Sequence, residues 1–141
     1  MSAASASPWL RPFRRPWLWI GLWLAMIAAV VFASLTAASN LPPPAFDGID
    51  KLEHFLGYFV LAAWAVNLFA RRRPQALAGV ALIALGVGLE LAQAALTDSR
   101  QADSADALAN ALGVLAGLML AATPLAHLLM RLDGGRRPPG K

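Results

Sequence analysis

GVGLELAQAALTDSRQADSADALANALGVLAG, residues 86–117, is the stretch that decides how this chain folds. Apolar residues enter and leave it at helical spacing, and a polar turn divides them. Glu90 and Gln93 sit within the first apolar half. Arg100, Asp103 and Asp106 lie about the turn, and Asn110 lies within the second half. An ionisable group at membrane depth is costly, so Glu90 marks a candidate functional site.

Outward from this stretch the chain divides into four apolar blocks, at 17–35, 52–70, 75–96 and 106–130. Each is close to the ~20 residues that cross a bilayer as a helix. Of 141 residues 58% are hydrophobic and only 14% charged, with a mean hydropathy of +0.56. That excludes an ordinary soluble domain of this size. Backbone in hydrocarbon must satisfy its own hydrogen bonds, and the alternation of a β-barrel is missing. The expected fold is all-α, an integral membrane four-helix transmembrane bundle spanning 17–130. Basic tails flank it at 1–16 and 131–141, and the first, polar and rich in Pro and Arg, is expected to be poorly ordered. There are no cysteines, which excludes a disulfide framework, a thiolate zinc site and a cysteine nucleophile.

Charge sets the expected topology. Ten of the twelve Lys and Arg residues lie before the first block, in the 71–73 loop, or after the last block. Lys51 and Arg100 are left on the other side, among seven of the eight carboxylates. The positive-inside rule then puts both termini in the cytoplasm. The sequence pI of about 10.7 does not imply nucleic acid, because the positive charges sit in short runs beside the spans. A rival reading takes the first block as a signal peptide cleaved near Thr36-Ala37-Ala38; the block is longer than a typical signal core, so a retained span is expected.

Three helix ends should converge on the outer side. Asp50, His54, Gly57 and Leu61 share one helical face, with Lys51 and Tyr58 beside it. Gly86, Glu90, Gln93 and Thr97 share another. Asp103, Asp106, Asn110, Gly113 and Gly117 share a third, in which Gly113-x-x-x-Gly117 is a close-packing motif. Packing these stripes together would bury Glu90, Gln93 and Asn110, with Asp50, His54, Arg100, Asp103 and Asp106 at the mouth. Blander roles compete. Asp50-Lys-Leu-Glu53 reads as a capping box, Asp103 or Ser104 as a cap and Asp106 as a dipole partner. Tyr58 reads as an interface or packing aromatic, while Asn110 and Gln93 read as interhelical glue. Glu90, roughly 9 Å below its helix end at ~1.5 Å per residue, is too deep to cap. It could pair with Arg100 or Asn110. Asn67 and His127 lie away from the cluster and read as structural. The helix of the last block should kink at Pro124.

Two blocks carry a family resemblance: Asp50-Lys-Leu-Glu-His54-Phe-Leu-Gly-Tyr58-Phe59, and Gly88-Leu-Glu90-Leu-Ala-Gln93 followed by Arg100 and Asp106-Ala-Leu-Ala-Asn110-Ala-Leu-Gly113 with Gly117. In them the chain resembles the VanZ-like family of small membrane proteins, over about half its length. Glu90 matches the family's acidic position, and Asp106 with Asn110 matches its Asp-x-x-x-Asn pair. Thr97-Asp98-Ser99 departs from it, since many relatives carry Pro and Gly there. The resemblance implies a multi-pass protein of the bacterial cytoplasmic (inner) membrane with a role in the cell envelope. The family is named for a protein linked to glycopeptide (teicoplanin) resistance.

Three functions remain open. The first is an accessory or binding protein whose outer-leaflet pocket holds a lipid-linked or cell-wall headgroup. Its partners would be membrane lipid and a lipid-linked precursor or glycopeptide. The second is a membrane-embedded hydrolase or transferase with His54 as acid or base; a metal variant would use His54, Glu90 and Asp106, a set suited to a hard ion. The third is a purely structural scaffold. The sequence assigns no cofactor and no metal, and a homodimer is compatible with so small a bundle.

Overall fold

A computed structural model describes residues 9–36, 48–96 and 103–134. All its regular elements are helices: α1 (Pro16–Leu35), α2 (Ile49–Leu68), α3 (Arg72–Leu96), α4 (Ser104–Met119) and the short α5 (Leu128–Leu132). Two 3-10 turns, Leu120–Ala122 and Pro124–His127, join the last two. The Leu41–Pro44 run and Asp47 lie outside the described residues.

Among the described residues, three helical stretches are long and apolar enough to cross a membrane: Pro16–Leu35, Arg72–Leu96 and Ser104–Ala122. α1 makes the membrane argument most directly. It is apolar all round and buries none of its residues, leaving Trp17 81% and Phe32 77% exposed. Water would penalise such a surface at ~25 cal/mol per Å², whereas hydrocarbon would not. α2 is as long as α1 but carries Lys51, Glu53 and His54 at one end and Asn67 at the other. It packs against α1, α3 and α4, and its Tyr58, Leu61, Ala62, Ala65 and Val66 are buried.

Glycine brings the helices together. A Cβ on Gly113 would collide with the Phe55 carbonyl, and one on Gly117 would lie 2.6 Å from the Phe59 carbonyl oxygen. α4 therefore sits backbone to backbone on α2, as the small-residue spacing predicts. α3 approaches through Gly86, where a Cβ would meet Asn110 Nδ2 at 3.0 Å and the Tyr58 ring at 3.3 Å. Tryptophans fasten α1: Trp23 donates to the Leu61 carbonyl at 3.0 Å, and Trp64 donates back to the Trp19 carbonyl at 3.1 Å.

Three expectations need correction. The 106–130 block is not one kinked helix. α4 ends at Met119, and Thr123 is extended, its Oγ1 accepting from the Leu125 N–H. Pro124 lacks the N–H that would continue the helix. The segment before Pro16 is not loose where it is described, since Arg11 N–H donates to the Leu68 carbonyl at 2.9 Å and Ala70 N–H to the Trp9 carbonyl at 2.8 Å. Asp50 is not the cap of α2. The N-cap is Gly48, at φ 84°, with no side-chain capping bond.

The ends of the bundle differ in charge. One end gathers Arg11, Arg14, Arg72 and Asp133, linked by Arg14 N–H to Asp133, Trp19 to Asp133 at 2.9 Å and Arg72 to the Ala121 carbonyl at 3.3 Å. Asn67 and His127 are structural there. Asn67 accepts from Leu129 N–H at 3.1 Å, and His127 Nδ1 accepts from Arg11 at 3.0 Å. The other end holds the acidic cluster.

Candidate functional site

The site is built where the starts of α2 and α4 meet the far end of α3. α2 brings Asp50, Lys51, His54 and Tyr58, α3 brings Glu90, and α4 brings Asp106 and Asn110. Asp103 caps α4 by accepting from Ala105 N–H at 2.8 Å, as expected of that residue type.

His54 is the centre. Its Nδ1 lies 3.0 Å from Asn110 Oδ1. An amide oxygen only accepts, so Nδ1 carries a proton, and in the neutral ring Nε2 is then the nitrogen without one. That nitrogen faces Asp106 Oδ2 at 3.9 Å, and Nδ1 lies 3.9 Å from Glu90 Oε1. Each carboxylate is held by its other oxygen. Glu90 Oε2 accepts from the Asp103 N–H at 3.4 Å, and Asp106 Oδ1 lies 3.3 Å from Lys51 Nζ. Lys51 also reaches Asp103 at 3.1 Å and Asp50 at 3.3 Å. The Ala105 N–H and the Lys51 ammonium hold the Asp103 carboxyl below its usual range.

Burial follows the expected depth order. Glu90 is 5% exposed and Asn110 and Tyr58 are each 2% exposed. Among the described residues the Tyr58 hydroxyl has no hydrogen-bond partner. Glu90 does serve a helix terminus after all, through the N–H of the residue that caps α4. The expected Glu90–Asn110 bond is replaced by His54–Asn110. Gln93 donates to the Ser34 carbonyl of α1 at 2.6 Å, so one of its contacts ties helices together. Arg100 lies outside the described residues.

A cleft of about 190 Å³ opens beside His54 between α1 and α2, lined by Val30, Ala33 and Ser34 on one wall and Glu53, His54, Gly57 and Tyr58 on the other. One wall is largely apolar and the other polar. A Cβ on Gly57 would meet nothing within 4 Å, so this glycine keeps the cleft open rather than closing a helix contact. The α1 wall had no sequence signal, because Val30, Ala33 and Ser34 look like any other part of an apolar span.

No protein-family model, curated protein or solved structure matches this chain, so its own chemistry carries the functional reading.

Proposed function

We propose that the chain is a VanZ-like envelope protein of the bacterial inner membrane that binds a lipid-linked or cell-wall headgroup in its outer-leaflet polar pocket. In this reading α2 also crosses the membrane, four crossings put both termini in the cytoplasm, and the His54 cluster faces outward. The positive-inside rule supports that orientation, because the arginine-rich end is the one opposite the cluster.

The observation that carries the reading is the cleft between α1 and α2. It runs along the seam of a helix whose outer surface suits lipid, and it reaches His54. A ligand with an acyl chain and a polar head would lay the chain along Val30 and Ala33 and present the head to His54, Glu90 and Asp106. Lys51 would contact a phosphate, and the buried amide of Asn110 fixes the ring that meets the head.

Thermal unfolding in detergent with an added polyprenyl phosphate tests this. Binding raises the wild-type midpoint, by an amount equivalent to ~2.7 kcal/mol at a hundredfold excess over Kd. Gly57→Trp fills the cleft without removing a charged group and removes the rise. A rise of equal size in that variant contradicts binding through the cleft. A second reading, a hydrolase or transferase, draws on the oriented His54 ring with a bare Nε2, the arrangement of a general base. It predicts turnover of the bound lipid that His54→Gln abolishes.

A further inference from the structure

We propose that His54 Nε2, Glu90 and Asp106 bind one hard divalent cation of the Mg²⁺ or Mn²⁺ class. The three residues offer ligand atoms that all lie within 4.8 Å of one another. Octahedral bonds of ~2.1 Å place ligand atoms about 3 Å apart in cis and about 4.2 Å apart in trans. The site thus closes on a cation with side-chain shifts of well under a helical turn.

Each ligand is already held by a second group, which is how metal sites aim their ligands. The Asn110 oxygen fixes the His54 tautomer that exposes Nε2. The Asp103 N–H holds Glu90 Oε2 and leaves Oε1 on the His54 side. Lys51 lies 3.3 Å from Asp106 Oδ1 as an ion pair without hydrogen-bond geometry, and Oδ2 faces Nε2. Asp106 Oδ2 faces Nε2 and Glu90 Oε1 lies beside the Nδ1 edge of the same ring, so two carboxylates and one imidazole from three helices bring one ligand atom each to within 4.8 Å of one another. Two oxygens to one nitrogen, with no thiolate, is a set for a hard ion.

Tyr58 supplies an independent sign. It stands one turn from His54 on the same face of α2, its ring tip lies against Gly86 beside Asn110, and its hydroxyl is buried without a partner. A buried phenol normally finds one. A water or phosphate oxygen on the cation would fill that role. Charge agrees, since Lys51 is the one cation among the described residues of a cluster that holds Asp50, Glu90, Asp103 and Asp106. This site stands whether or not a headgroup binds, because its ligands are all protein groups.

The test is Mn²⁺ titration of the detergent-purified full chain, followed by electron paramagnetic resonance. One Mn²⁺ per chain is expected, with Mg²⁺ competing for it. Affinity falls more than about tenfold in Glu90→Gln and in His54→Gln and stays unchanged in His127→Gln. Pulsed spectra of the wild type should show nitrogen coupling from a single imidazole. Because that readout needs no variant, it remains decisive if either substitution disturbs folding. No bound Mn²⁺, or bound Mn²⁺ without imidazole coupling, overturns the assignment. So does equal affinity in wild type and Glu90→Gln.

Discussion

At the scale of single residues, the Asn110–His54 hydrogen bond organises the cluster. Asn110→Leu removes the acceptor and leaves the Nδ1 proton unpaired in a buried site. The expected loss is about 1–3 kcal/mol of stability, read by thermal unfolding. Nitrogen NMR offers a second readout, since the chain has only two histidines. The wild-type His54 signal should report a protonated Nδ1 and a bare Nε2, and Asn110→Leu should mix the tautomers. An unchanged tautomer in the variant would show that another group orients the ring. Glu90 behaves differently under two substitutions. Glu90→Gln keeps an oxygen for the Asp103 N–H and should preserve the fold. Glu90→Leu strands that N–H beside the α4 terminus and should lower the midpoint further, unless the cluster serves packing alone. That Glu90, His54, Asp106 and Asn110 belong together was legible from helical spacing. The pairing within the cluster was not, because spacing gives a face and not the rotamer that decides between Asn110 and Asp103 as partner.

Among the helices, the α2–α4 contact is the least forgiving. Gly113 and Gly117 place α4 against the Phe55 and Phe59 carbonyls, so Gly117→Leu forces the pair apart and carries the His54–Asp106 geometry with it. A destabilisation of about 1–3 kcal/mol or more is expected. Gly57→Ala, on the open cleft wall, should be nearly neutral by the same unfolding assay. Near-equal effects at the two sites would contradict the packing described here. The motif Gly113-x-x-x-Gly117 made this contact readable in advance, since only a missing side chain lets two helix backbones meet so closely. The break at Thr123 was less readable. A proline signals an interruption, but whether the chain bends or stops depends on a local bond such as that of Thr123 Oγ1 to Leu125 N–H. The ordering of residues 9–15 was also hidden, because it rests on pairing with Phe69 and Ala70, far away in sequence.

For the whole molecule, charge separates the two ends. At the arginine-rich end, burial alone would raise the Asp133 carboxyl. Hydrogen bonds from Trp19 and the Arg14 N–H, and the Arg14 charge, outweigh it and hold the group below its ordinary 3.8. A depressed carboxylate stabilises the folded state above its unfolded pKa and loses that contribution as pH falls through the folded value. The stability difference between wild type and Asp133→Asn should therefore be full at pH 7 and shrink only as pH falls below 3.8 and through the lowered folded value. Sidedness is open to direct labelling because the chain has no cysteine. A cysteine at Ser104 should react with an impermeant maleimide from outside the cell, and one at Arg72 only after permeabilisation. Apolar block lengths made the membrane character plain, and the ten-to-two distribution of positive charge supplies the orientation that this labelling tests. The ligand was not legible, since a polar cluster specifies charge and depth but not the molecule that meets it. The central claim is that this cluster holds a headgroup delivered along the α1–α2 cleft. Native mass spectrometry of the detergent-purified chain tests it most directly, with wild type beside Glu90→Gln and Gly57→Trp. A lipid-sized adduct on wild type that is lost from both variants is the predicted result; no adduct on any of the three proteins, or the same adduct on all three, at equal thermal stability, would contradict it.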